Sequence, residues 1–269
     1  MKNQFGKLSK LLLETEYMEG RTVLRRVEFT APFKIMKPFP RRDGGLMVMQ
    51  QMASAGIMEG DRQYQEVRVG DGCRLLLTTQ SFEKIFKMQG DCAERESHIY
   101  IGRNADFTYE PLPVIPFEKS AFAGTTTVRI ADGTGRFSYR EIIACGRAGM
   151  GERFRFQSFR NHMEIYEGDR LVYYDNAVYE PGKIRVGGLG FFEGYTHLLT
   201  WIIVNSKLDS EKLAEIRELL DAYDTVDGGV TVTEHGDFVV KAFGQQAETL
   251  MNLCGQIKLR ITEEKQCKR

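Results

Sequence analysis

The sequence of 269 residues has no apolar run long enough to cross a membrane as a helix. Its opening apolar stretch, LSKLLLETEY at residues 8–17, is too short and too polar for a span or a secretory leader. These absences predict a cytoplasmic protein that makes no membrane contact.

Charge of one sign is also lacking, because 37 lysines and arginines balance 37 aspartates and glutamates. A protein that binds nucleic acid through general phosphate attraction carries an excess of positive charge. We therefore expect no nucleic-acid partner.

Cysteine is sparse and scattered, and no pair has the C-x-x-C spacing. The cysteines are Cys73, Cys92, Cys145, Cys254 and Cys267. This pattern argues against a zinc knuckle and a disulfide framework, and apolar neighbours predict buried thiols at Cys73, Cys145 and Cys254. The four histidines lack helical ligand spacing, so no closed metal site is predicted.

Motifs for nucleotide binding and nucleophilic catalysis are missing as well. The glycine-rich GGLG at residues 187–190 is not followed by Lys-Ser or Lys-Thr, and no G-x-S-x-G elbow occurs. The sequence therefore predicts no nucleotide cofactor and no serine nucleophile.

The first 194 residues show period-two hydrophobic patterning, with turn signals about every ten residues. This rhythm is typical of an all-β sandwich, barrel or solenoid. Residues 195–269 instead predict a buried strand at 197–204, helices at 209–223 and 245–257, and a hairpin between them. We expect this α+β layer to pack on the β-rich region, residues 1–194, as part of one domain.

Residues 141–156, EIIACGRAGMGERFRF, predict a strand, a glycine turn and a second strand that begins at Glu152. The glycines are Gly146, Gly149 and Gly151, and the charged residues that flank the turn are Glu141, Arg147 and Glu152. Glycines this close together suggest positive φ or a close backbone approach. The pattern favours a structural β corner over a functional site.

Acidic residues at strand ends are the remaining candidates for chemistry: Asp61, Glu141, Glu152 and Asp175. They suit three interpretations. They are solvated turn carboxylates, or two of them form a general acid and base as in glycoside hydrolysis, or they are weak oxygen ligands along a hydrated metal passage. The residues alone do not choose among these.

GRAGMGERF, residues 146–154, resembles the GR-x-x-x-GE-x-F segment of the urease accessory proteins called UreD, or UreH in some species. Residues 54–67, 75–87 and 109–122 resemble further segments of that family in the same order, although Ala55 and Glu59 stand where glycines are usual. The residues that carry the resemblance are Gly60, Lys84, Pro116, Phe117, Gly146, Arg147, Gly151 and Glu152.

The resemblance implies a mainly β fold of stacked, helically wound sheets, β-solenoid-like, with two C-terminal helices. It implies a non-catalytic, cytoplasmic chaperone for urease maturation. Such a protein binds accessory protein F, contacts the accessory GTPase G through F and docks on apo-urease. It also forms a homodimer within the accessory complex. The resemblance also implies nickel in transit, with no tightly bound cofactor, through an internal tunnel lined by Asp61, Glu141 and Asp175. The alternative is a carboxylate-dependent hydrolase on a β-rich fold.

Overall fold

The computed structural model describes residues 8–206 and 208–262 of the chain. Its strands are β1 (Ser9–Met18), β2 (Arg21–Phe29), β3 (Phe33–Ile35), β4 (Phe39–Pro40), β5 (Leu46–Met52), β6 (Arg62–Val69), β7 (Arg74–Thr79), β8 (Glu83–Ile85), β9 (Ala93–Ile101), β10 (Asp106–Glu110), β11 (Val114–Pro116), β12 (Ala121–Ile130), β13 (Arg136–Ala144), β14 (Ser158–Glu167), β15 (Arg170–Tyr179), β16 (His197–Val204), β17 (Val226–Val232) and β18 (Phe238–Gly244). Its helices are α1 (Ser210–Asp221) and α2 (Ala247–Thr262).

Two large sheets contain most of these strands. The first has the order β15-β14-β12-β9-β6-β1-β2, and its central strands β1, β6, β9, β12 and β14 run parallel. The second has the order β17-β18-β16-β13-β10-β7-β5-β3, and its strands β5, β7, β10 and β13 run parallel. Antiparallel strands flank the parallel part of each sheet.

The chain passes alternately from one sheet to the other between β5 and β14. Parallel neighbours need a long crossover connection, and here each crossover contains a strand of the opposite sheet. Gln65 on β6 therefore pairs with Ser97 on β9, a full circuit later. The predicted mainly β fold with two C-terminal helices is confirmed. The more specific β-solenoid class stays a prediction, and the alternation between two sheets is consistent with it.

The C-terminal segment extends the second sheet, because β16 pairs with β13 and β18 pairs with β16. The sheet thus continues across the predicted boundary at residue 194. Helices α1 and α2 cover the outer face of this extension with an apolar cluster that includes Trp201, Ile216 and Leu250. Asp209 caps α1 by accepting a hydrogen bond from the Lys212 amide at 2.9 Å.

The predicted strand that begins at Glu152 is wrong for residues 152–157, since β14 begins only at Ser158. Phe154 has a φ of 53°, which a strand does not allow. Its amide donates to the Cys145 carbonyl at 2.6 Å, so the segment folds back along the end of β13. The alternation of aromatic and basic residues here reflects packing in a loop.

Other local predictions have simpler outcomes. Cys73, Cys145 and Cys254 are buried as predicted, and Trp201 is buried as well, whereas Cys267 lies outside the described residues. Among the described residues, no helix is long and apolar enough to cross a membrane.

Candidate functional site

A band of polar side chains, here called the polar band, lies on the inner face of the first sheet between two apolar rows. Side chains along a strand alternate between the two faces of the sheet, so every second residue lies on the same face. One apolar row crosses the sheet through Ala93, Phe122 and Phe159, and the other through Val67, Ile99, Val128 and Ile165. Between them run the paired positions Gln63–Arg95–Gly124–Asn161 and Gln65–Ser97–Thr126–Met163–Asp175.

An ion pair lies within this band. The guanidinium of Arg95 donates to both carboxylate oxygens of Glu83, one of them at 2.9 Å, and its Nε donates to Gln63 Oε1 at 2.9 Å. Both charged side chains are 16% exposed. Such a bidentate geometry holds a buried pair firmly in one arrangement.

Glu141 and Asp175 share one cavity between the sheets, with a volume of about 30 Å³. Glu141 accepts a hydrogen bond from the Asn161 amide at 2.8 Å and another from the Tyr139 hydroxyl at 3.2 Å. Burial, against the lowering effect of these two hydrogen bonds and with a smaller contribution from the nearby charge of Asp175, raises the pKa of Glu141 to about 7. A site of this size has room for one or two water molecules.

Asp175 lies at the outer side of the same cavity. Its Oδ2 accepts hydrogen bonds from the Lys241 ammonium at 3.1 Å and from the Tyr173 hydroxyl at 3.3 Å. The cavity therefore has a buried carboxyl on β13 and a half-buried, cation-paired carboxylate on β15.

A second cavity of about 30 Å³ lies near the other end of the polar band. It is lined by Gln50, Met52 and residues 54–57 on one side and by residues 79–84, including Glu83, on the other. In the described part of the chain, Gln50 Oε1, Gln63 Nε2 and Gln65 Nε2 are buried without a hydrogen-bond partner. Gln50 is one of the residues that line this cavity, and proteins commonly satisfy buried polar atoms of this kind with water.

Asp61 does not line either cavity. It lies in the turn before β6, where its Oδ2 accepts from the Met58 amide at 2.8 Å and its carbonyl accepts from the Glu94 amide at 2.9 Å. The structure thus brings Glu141 and Asp175 together and holds Asp61 in a separate turn.

The glycine turn is closed by an ion pair. Arg147 donates to both carboxylate oxygens of Glu152, with Nε to Oε2 at 2.8 Å, and its guanidinium lies 4.2 Å from the centre of the Phe117 ring. Gly146 has a φ of +126°, and an added Cβ would lie 2.5 Å from the Glu152 carbonyl oxygen. This geometry fits the structural corner, with Glu152 engaged inside it.

The segments that carry the family resemblance pack against one another along one side of the molecule. Ile57 bridges to Ile85, β8 pairs with β11, and Gly146 lies beside the Pro116 carbonyl. The Lys84 side chain is exposed, while its carbonyl accepts from the Ile57 amide at 2.8 Å. Gly60 takes a φ of +75° in the turn before β6. These residues build successive corners of the fold.

A family model, described as "UreD urease accessory protein", matches residues 8–268. The chain belongs to this family. It is 34% identical to the urease accessory protein UreH of Helicobacter pylori strain J99, over 97% of each chain. It is 37% identical to the urease accessory protein UreD of Acetivibrio thermocellus, over 96% of this chain and 98% of that one. It is 30% identical to UreD of Flavobacterium johnsoniae, over 96% and 94%.

Sequence reasoning missed Arg95, Glu83 and Lys241. Each meets its partner across sheets or after a full circuit of the chain, so no local spacing indicates the contact. The period-two pattern could have found the buried glutamines, because Gln63 and Gln65 interrupt the apolar face of β6. Among the described residues, no group of three or more histidine, cysteine or acidic side chains could hold a metal ion.

Proposed function

We propose that this chain is a non-catalytic scaffold that helps to deliver nickel to apo-urease. Membership of the UreD family gives it a role in urease maturation. The observation that carries the finer proposal is the cavity shared by Glu141 and Asp175, which continues the polar band between the sheets.

In this proposal Glu141 and Asp175 act as relays for a metal cargo in transit. Carboxylate oxygens bind divalent metals less selectively than thiolates or clustered imidazoles. A pair of such groups in a wet cavity favours brief binding and release over storage. Asp61 serves the same route only if the route continues beyond the two cavities.

The partners in this proposal are accessory protein F, the GTPase accessory protein G reached through F, and apo-urease, in a cytoplasmic complex that contains a homodimer of this chain. Family membership supports partnership with urease and other accessory proteins. No resident cofactor is part of the proposal.

The geometry argues against the hydrolase alternative. Glycoside hydrolysis needs two carboxyl groups on either side of a bound sugar, and pockets for such ligands have volumes of about 300 Å³ or more. The cavity of Glu141 and Asp175 has about 30 Å³. Both carboxylate oxygens of Glu152 accept hydrogen bonds from Arg147, so this carboxylate is not free.

Co-expression tests the function. Urease subunits are produced with the other accessory proteins, with and without this chain, and the nickel content and activity of purified urease are measured. We expect nickel-poor, inactive urease when the chain is omitted. Equal nickel content in both preparations would refute a role in maturation.

A further inference from the structure

Lys241 lies on the face of β18 that is turned towards the first sheet. Its strand neighbour on the same face, Val239, belongs to the apolar core between the sheets. Thr200 of β16 is the paired residue beside it, and Thr200 in turn pairs with Glu141. The row Glu141–Thr200–Lys241 therefore crosses the second sheet directly opposite Asp175.

The ammonium of Lys241 spans the gap between the two sheets. It lies 3.1 Å from Asp175 Oδ2 on β15, which is the edge strand of the first sheet. The side chain of Lys241 is 51% exposed and that of Asp175 is 26% exposed. The pair is thus the boundary between solvent and the cavity that contains Glu141.

We propose that Lys241 is a cationic latch over this cavity: its ammonium holds the position on Asp175 that a divalent cation entering from solvent would take. The proposal rests on the proposed function and adds a residue that regulates access. Binding of the metal and binding of the ammonium at Asp175 then exclude each other.

Lysine suits such a latch because it combines one compact charge with a flexible stem. A partly exposed ion pair is weak and opens readily. A divalent ion has twice the charge, so it can displace the ammonium, while a monovalent ion gains much less.

The test measures binding of Ni²⁺ alone to the full chain within its accessory complex, by equilibrium dialysis at fixed pH. Lys241→Met removes the charge and keeps the length, Lys241→Arg keeps the charge, and Lys183→Met is the matched control because Lys183 pairs with Glu180 at 2.9 Å. We expect Lys241→Met to tighten Ni²⁺ binding roughly tenfold, and Lys241→Arg and Lys183→Met to leave it within about twofold of the wild-type value.

Asp175→Asn in the Lys241→Met background completes the design. The gain in affinity should disappear in the double variant, because the latch acts on the Asp175 carboxylate. Unchanged affinity in Lys241→Met, or a gain that survives Asp175→Asn, would overturn the latch. The nickel content of urease tests the proposed function separately. If only the latch is wrong, Ni²⁺ affinity does not follow the expected pattern but urease still receives nickel. If the maturation role is wrong, urease contains as much nickel without the chain as with it.

Discussion

Glu141 lies in the interior of the fold and is also a proposed relay for the metal. Its carboxyl lies between the sheets, and burial raises its pKa from the ordinary 4.5 to about 7. Between these two pH values the folded protein binds more protons at this position than the unfolded chain does. The contribution of Glu141 to stability must therefore fall as the pH rises from about 4.5 to about 7 and then level off.

Glu141→Gln should remove this pH dependence. The amide is neutral at every pH, so the variant should be more stable than the wild type above pH 7, by about 3 kcal/mol at most. Urea unfolding of the metal-free protein at pH 5 and pH 8 measures the effect. Glu96→Gln, at an exposed position on β9, is the control. An equal pH dependence in the wild type and Glu141→Gln would contradict the burial of this carboxyl.

The glycines of the turn differ in what they require. Gly146→Ala forces an alanine into a φ of +126° and against the Glu152 carbonyl, so it should destabilise the protein by more than about 1 kcal/mol. Gly149→Ala is the matched control, because its φ lies outside the left-handed region and no atom lies within 4 Å of the added Cβ. Denaturant midpoints compare the two. Equal midpoints would show that the turn does not need its glycine at 146.

The sequence predicted some of the site and not the rest. It indicated Glu141 and Asp175 through the family resemblance, and the structure brings them into one cavity. It did not indicate that Asp61 lies in a separate turn, nor that Lys241 lies opposite Asp175. Which side chains face each other across the two sheets depends on how far each crossover connection moves the chain along the sheet. No local sequence pattern indicates this distance.

At the scale of elements, the polar band is held by the pair of Arg95 and Glu83. Arg95→Met leaves Glu83 buried without its partner and should destabilise the protein by about 3–5 kcal/mol. A Glu83→Gln, Arg95→Met double variant should recover part of this loss. Arg62→Met is the control, because Arg62 pairs with Asp91 and Glu94 at the surface and its loss should cost about 1 kcal/mol or less. Urea unfolding of the wild type, Arg95→Met, Glu83→Gln and the double variant gives the coupling energy; no recovery in the double variant would contradict a buried pair.

Elements with a clear period were predicted best. β16 matches the predicted range 197–204, and α1 lies within the predicted helix 209–223. Helix α2 extends to Thr262, beyond the predicted end at residue 257. The three-residue strands β8 and β11 were missed because they are too short to show a period. Residues 152–157 show the period-two pattern of a strand but do not form a strand. The Arg147–Glu152 ion pair and the positive φ of Phe154 fold them into the corner instead.

At the scale of the whole molecule, β2 and β15 are the edge strands of the first sheet in the described part of the chain. Exposed apolar side chains accompany both, including Phe29 on β2 and Tyr174 on β15. Open edges promote association unless a partner covers them. We therefore predict that the chain alone is poorly soluble and that co-expression with accessory protein F makes it soluble. The soluble fraction in the two cases measures this, and a stable monomer without affinity for F would contradict it.

The proposed nickel passage runs through the cavity of Glu141 and Asp175. Nickel content of urease, matured by an accessory complex that contains the Glu141→Gln, Asp175→Asn double variant, tests it most directly. Glu96→Gln is again the control, and co-purification confirms that each complex has assembled. We expect an intact complex with clearly less nickel per urease active site than the wild type provides. Full nickel loading by the double variant would contradict it.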